Sequence, residues 1–180
     1  MGERSVISLP LGVTRSEDTI EGIASSNYHS DDPSPRYKIA LIGGLSGTQE
    51  SHNVYLEGMK VLLDSPDDVG FIASDLTSSY SPLVDQIFPP ESGFFFDTDS
   101  IESRYVWRWL TMESPDLIIE LRHGESTSII QSKSYTEGEK GSLLGEISAG
   151  RGPIPGSIPS VKITADTLVV KDLLVQTIKD

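Results

Sequence analysis

Apolar positions in this chain follow two periods that take turns along the sequence. Lys38-Ile39-Ala40-Leu41-Ile42 is a short, nearly continuous apolar run closed by Gly43-Gly44, the pattern of a strand buried on both faces. Beyond the glycines, Val54, Tyr55, Gly58, Met59 and Leu62 return at helical spacing while Glu57, Lys60 and Asp64 fall elsewhere. This predicts an amphipathic helix that stops near Ser65-Pro66. Gly70-Phe71-Ile72-Ala73 predicts the next strand. Asp99-Ser100-Ile101-Glu102 reads as an acid-first capping box opening a second helix, with Ile101, Tyr105, Val106, Trp109 and Leu110 on its apolar stripe and Ser114-Pro115 as its stop. Leu117-Ile118-Ile119-Glu120-Leu121 is a third buried-type strand, residues 160–164 alternate as a last one, and Val170, Leu173, Leu174 and Ile178 mark a final helix. Strand–helix units in succession predict an α/β fold: a three-layer α/β/α sandwich around a mainly parallel sheet.

The flanking stretches read differently. Residues 1–36 are polar and turn-rich and form an N-terminal segment with an edge strand, placed near residues 19–24; residues 37–180 form the α/β domain proper. Residues 124–159 are rich in Gly, Ser and Pro and predict a long loop with a short helix around 143–147. Within it, residues 150–156 are a candidate flap. Trp107, Trp109 and Phe94-Phe95-Phe96 are assigned to packing rather than to a recognition surface.

Composition narrows the function. The 180 residues carry 14 basic and 27 acidic side chains, a net charge of −13, which repels phosphate backbones and anionic lipid surfaces. Neither nucleic acid nor a membrane surface is an expected partner. No cysteine is present, so thiolate nucleophiles and Cys-ligated metals are excluded. Any metal would rest on carboxylates and on His29, His52 and His123. No apolar stretch approaches a membrane span, and the first ten residues lack the basic-then-apolar signature of a secretory signal. The expected location is the cytoplasm.

In a parallel sheet the ligand site lies off the carboxyl ends of the strands, which directs attention to the turns at 43–50 and 122–125. Gly44-Leu45-Ser46-Gly47-Thr48-Gln49-Glu50-Ser51 shares an opening glycine and a closing serine with a phosphate loop. Gln49 replaces its second glycine and Glu50 its lysine, so nucleotide binding does not follow. A nucleophile elbow fails as well, because Thr48 stands where glycine is required. Ser46-Gly47-Thr48-Gln49 does have capping-box spacing, which predicts Ser46 and Gln49 as reciprocal caps of the first helix.

Taken together, these stretches resemble the zinc carboxypeptidase family and its succinylglutamate desuccinylase and aspartoacylase relatives. The segment from Arg36 through Gly43-Gly44-Leu45-Ser46-Gly47 is similar to that family's strand leading into Gly-Gly-Ile-His-Gly. Glu102-Ser103-Arg104-Tyr105-Val106-Trp107-Arg108-Trp109 followed by Pro115-Asp116-Leu117-Ile118-Ile119-Glu120-Leu121 is similar to its helix and the strand ending in Asp-Leu-His. Leu11-Gly12-Val13-Thr14 through Ile20-Glu21-Gly22 resembles its opening strand. The resemblance covers residues 10–125 and implies a zinc held by His-x-x-Glu at the first turn and by a later His. Carried across, those positions are Ser46, Gln49 and Arg122, and none is a zinc ligand by its chemistry.

The resulting expectation is a degenerate family member without cofactor, a non-catalytic binder of a peptide terminus or acyl amino acid. Its partner would be a peptide or a carboxylate-bearing small molecule, held by Arg122 with Ser46 and Gln49. Arg122 has the fork geometry to grip a carboxylate, with an ion pair to Glu120 or Glu125 as the competing use. The alternative is an active zinc hydrolase with a displaced ligand set of Glu50, His52, His123 and Glu125. A third reading is an interaction module of a longer polypeptide.

Overall fold

The computed structural model describes residues 5–13, 19–30, 35–44, 46–76, 101–131 and 159–179. The elements run β1 (Val6–Val13), β2 (Thr19–Ser25), β3 (Tyr37–Gly43), α1 (Gln49–Leu63), β4 (Val69–Asp75), α2 (Ile101–Glu113), β5 (Leu117–His123), β6 (Ser128–Gln131), β7 (Ser160–Ala165) and α3 (Val170–Lys179). The capping residue Asp99, the helix around 143–147, the flap at 150–156 and Phe94-Phe95-Phe96 lie outside the described residues.

Seven strands form one sheet in the order β1-β2-β4-β3-β5-β7-β6. The expected parallel centre is present: β3 pairs in parallel with β4 and β5, and β5 with β7. The sheet as a whole is mixed, because β1 with β2, β2 with β4, and β6 with β7 pair antiparallel. Two of these strands, β1 and β6, were not predicted. Pro10 and Gly12 interrupt the apolar residues of β1, and β6 is only four residues long; both lie at the edges of the sheet, where a strand tolerates proline and needs no continuous apolar run. The strand expected at the edge, β2, instead lies between β1 and β4, and it joins the hairpin to β4 over a short register of Ile23 with Ala73 and Ala24 with Ile72. Ser25, fully buried, reinforces that junction by accepting the Phe71 N–H on its hydroxyl at 2.9 Å.

Alternation along the strands sends side chains to two faces, and each face has its own core. Ile39, Leu41, Phe71, Ala73, Ile119, Leu121, Val161 and Ile163 pack with Val54, Tyr55, Met59 and Leu62 of α1 and with Val170 and Leu174 of α3. The intervening positions Ala40, Ile42, Ile72 and Ile118 pack with Val106, Trp109 and Leu110 of α2, joined by Ala24, Tyr28 and Leu76. Trp109, 7% exposed, belongs to this second core as expected. At the amino end of the sheet, Asp116 locks β5 to β3: its carboxylate accepts from the Lys38 N–H at 2.8 Å while its own N–H donates to the Lys38 carbonyl at 2.7 Å. No helix among the described residues is long and apolar enough to cross a membrane.

Candidate functional site

The strand order fixes where a site can form. From the carboxyl end of β3 the chain leaves through α1 toward β4, and from that of β5 it leaves the other way, toward β7 and β6. Outward departures on both sides open a crevice between the two tips, the position at which open α/β sheets bind ligands.

The β3–α1 turn is built on glycine. Gly44 and Gly47 have φ of 70° and 65°, a region that costs an L side chain about 1–2 kcal/mol, and the Gly47 N–H closes the turn on the Gly44 carbonyl at 3.0 Å. This displaces the helix start relative to the sequence expectation. The cap is Thr48, extended at φ −102° and ψ 158°, whose hydroxyl accepts from the Ser51 N–H at 3.2 Å. Ser46 sits in the turn two residues ahead of the cap, so the Ser46–Gln49 capping box is corrected. Gln49 is the first helical residue, is exposed, and donates from Nε2 to Asn53 Oδ1 at 3.1 Å.

Glu120 and Arg122 fall on the face that α2 covers. Arg122 donates from Nε to Glu120 Oε1 at 2.6 Å, with the Glu120 side chain only 1% exposed and that of Arg122 21%. Of the two acids weighed as partners, Glu120 is the one engaged. Lys162 of β7 stands opposite Glu120 in register, and Thr164 opposite Arg122. The buried Glu120 carboxylate thus has two cationic residues next to it, Arg122 two positions along β5 and Lys162 across on β7.

The other face carries the imidazoles. His52 on α1 pairs through Nδ1 with Asp75 Oδ2 at the end of β4, and Asp75 is in register with Gly43 at the β3 tip. Tyr55, one turn further along α1, packs directly on Gly43: a Cβ built there would lie 2.7 Å from the Tyr55 Cβ. Burial, reinforced by the nearby Asp75 charge, raises the phenol of Tyr55 above its usual range. The Ser51 hydroxyl is buried without a hydrogen-bond partner among the described residues. His123, at the tip of β5, alternates to this same face.

Sequence reasoning named His52 and missed its partner. Asp75 was legible by the rule that drew attention to the two turns, because it terminates the apolar run Gly70-Phe71-Ile72-Ala73 at the carboxyl end of a parallel strand. Thr48 was hidden by a serine with equally good spacing.

A zinc ion does not fit Ser46, Gln49 and Arg122, the three positions that the family resemblance implies for its ligands. Ser46 offers a hydroxyl and Gln49 an amide that is already bonded to Asn53. At the third position stands the Arg122 guanidinium, and a unit positive charge ~4 Å from Zn²⁺ costs about 8 kcal/mol at an effective dielectric near 20. As for the displaced set, Glu50 and Glu125 are exposed and His52 is bonded to Asp75. Among the described residues no group of three or more His, Asp or Glu side chains is placed to hold a metal ion.

Scans of the sequence against protein-family models and against curated proteins find no match. Among solved structures the fold does have counterparts. A metallo-carboxypeptidase from Pseudomonas aeruginosa, in complex with (2-guanidinoethylmercapto)succinic acid, superposes with a TM-score of 0.59 at 11% identity over 96% of this chain and 63% of its own. A candidate carboxypeptidase A from Shewanella denitrificans gives 0.58 at 12% over 88% of this chain and 55% of its own. A candidate succinylglutamate desuccinylase/aspartoacylase from Shewanella frigidimarina gives 0.53 at 7% over 99% of this chain and 71% of its own. The chain therefore spans under two thirds of the length of the first two. Identities this low establish a shared zinc-carboxypeptidase-like fold and leave activity to be argued from the site.

Proposed function

We propose that this chain is a zinc-carboxypeptidase-like domain, a three-layer α/β/α arrangement, that binds a carboxylate-bearing ligand at the carboxyl ends of β3 and β5 without zinc-dependent hydrolysis. The ligand class is a peptide terminus or an acyl amino acid, gripped through its carboxylate by Arg122, with the Ser46–Gln49 turn lining the opposite wall. The observation that carries this reading is the Arg122–Glu120 pair, 2.6 Å long, at the carboxyl end of β5, where the family resemblance implies the third zinc ligand. A cation bonded to a buried acid is pre-oriented, so a ligand carboxylate meets it at a reduced entropic cost. The Pseudomonas aeruginosa structure, which contains a succinic acid derivative, supports carboxylate recognition on this fold.

The test is calorimetry of the purified chain with N-acetylalanine, alongside elemental analysis for bound metal. Saturable binding that falls at least tenfold in Arg122→Lys, a variant that keeps the charge but not the fork, is the expected result. Stoichiometric zinc with chelator-sensitive amidase activity would replace this reading by the displaced-ligand hydrolase using Glu50, His52, His123 and Glu125.

A further inference from the structure

A second concavity lies away from the crevice, reaching the amino ends of the strands. It is a groove of about 350 Å³ between the end of α1, the first residues of β3 and β4, and one stripe of α3, a volume in the range of small-molecule sites. Val61, Val69, Val175 and Ile178 give it apolar walls, and Asp64, Asp68 and Lys171 supply the charges that line it. Asp64 is the C-cap of α1, where the helix dipole adds about half a negative charge. Lys60, the base of the last helical turn, is already paired with Glu57. Asp68 immediately precedes β4, and its carbonyl accepts from the N–H groups of Arg36 and Tyr37 at 2.7 and 3.1 Å, so this acid is carried on a fixed backbone. Neither carboxylate has a hydrogen-bond or ion-pair partner among the described residues. Against them stands Lys171, in the first turn of α3 and about 10 Å along the helix axis from Ile178. Just outside the lining, Asp67 and Arg36 offset each other in charge, the Arg36 guanidinium being held over the Tyr37 ring at 5.1 Å. The groove therefore keeps a negative end within a chain of net charge −13.

We propose that this groove binds a small organic cation: a primary amine whose apolar body lies along Val61, Val175 and Ile178 and whose ammonium group sits in the field of Asp64 and Asp68. The volume holds about a dozen water-sized groups at ~30 Å³ each, the size of a phenylalkylamine. An apolar acid of the same size would meet two like charges and a single exposed lysine. The site is independent of the carboxylate-binding reading, because it uses none of Arg122, Ser46 and Gln49 and lies at the other end of β3.

Calorimetry of the full chain at about pH 7 with 4-phenylbutylamine, 4-phenylbutanol and 4-phenylbutyrate is the test, since the three share a body and differ in the charge of the head. The amine should bind about fivefold more tightly than the alcohol, the upper range for an exposed ion pair, and the carboxylate more weakly than either. The margin between amine and alcohol should shrink in high salt and fall below about twofold in the double variant Asp64→Asn with Asp68→Asn. Methyl-resolved NMR should place the amine on Val61, Val175 and Ile178 of the intact chain. Val175→Trp, which fills the groove, should abolish binding while the circular dichroism stays that of the parent. Equal binding of amine and alcohol, tighter binding of the carboxylate, shifts confined to other methyl groups, or failure of all three probes to bind overturns the proposal. Dimerisation of the chain that Val175→Trp abolishes would assign the groove to a second copy and overturn it as well. None of these outcomes bears on the Arg122 site.

Discussion

Arg122 donates its Nε hydrogen to Glu120 Oε1 across one intervening residue of β5, and the acid is 1% exposed. The pair is thus a buried anion with a partly buried cation. Breaking such a pair by removing one member costs about 3–5 kcal/mol, because the surviving charge stays desolvated. With Lys162 opposite Glu120 to share that charge, Arg122→Met is expected at the low end, about 3 kcal/mol. Urea unfolding checks this. The double variant Glu120→Gln with Arg122→Met should recover part of the loss, since it also removes the stranded charge; equal losses would assign the cost to packing instead.

Thr48 and Ser46 offer a sharper contrast. Only Thr48 has the extended cap conformation and accepts the Ser51 N–H, and deleting such a cap costs about 1 kcal/mol. Thr48→Ala should lower stability by that amount, and Ser46→Ala should leave it within about 0.5 kcal/mol of the parent. Thermal unfolding of the two variants side by side separates the cap seen in the structure from the one suggested by spacing.

The same two residues show how far the sequence could be read. Period and glycine placement located β3, α1, β4, α2, β5, β7 and α3, because each buries a continuous run or a stripe. They failed at β1, where Pro10 and Gly12 look like breakers. An edge strand tolerates proline, and the register of β1 against β2 slips between those residues. Spacing also misplaced the cap, because S-x-x-Q says nothing of the two left-handed glycines that delay the helix. For the site, the strand-end rule singled out Arg122 and His123, but which acid each basic group would meet depends on the alternation of faces. That alternation sets Arg122 beside Glu120 under α2 and His52 beside Asp75 under α1.

Close approach of α1 to β3 at the site depends on Gly43. A Cβ at this position would lie 2.7 Å from the Tyr55 Cβ and 2.8 Å from its Cδ2, and the Cβ of Tyr55 cannot move without the helix. Gly43→Ala should therefore cost about 1–3 kcal/mol, the usual price of overpacking. Because Tyr55 lies one turn from His52, the displaced helix should also disturb the His52–Asp75 bond. A changed His52 ring spectrum in a folded Gly43→Ala variant is the readout; an unchanged spectrum and unchanged stability would mean that the turn absorbs the methyl group elsewhere.

Tyr28 and Tyr55 tie the two cores to alkaline stability. Tyr28 is held above the ordinary phenol range first by burial and then by the Glu113 and Asp116 charges, and Tyr55 by burial and then by Asp75. Both phenols therefore keep their protons in the folded chain at pH values where the unfolded chain has released them. The folded state then binds more protons than the unfolded state, so stability must fall as pH rises. The contribution is complete below the unfolded phenol value near 10 and drains away above it, by about 1.4 kcal/mol per pH unit for each tyrosine. Tyr55→Phe retains the ring in the core and removes the titrating hydroxyl. Urea unfolding between about pH 9 and pH 11 should show a shallower decline in Tyr55→Phe than in the parent, and a shallower one still when Tyr28→Phe is added. Parallel declines in all three proteins would show that these phenols ionise alike in the folded and unfolded chains, and that neither core holds its tyrosine as tightly as its burial implies.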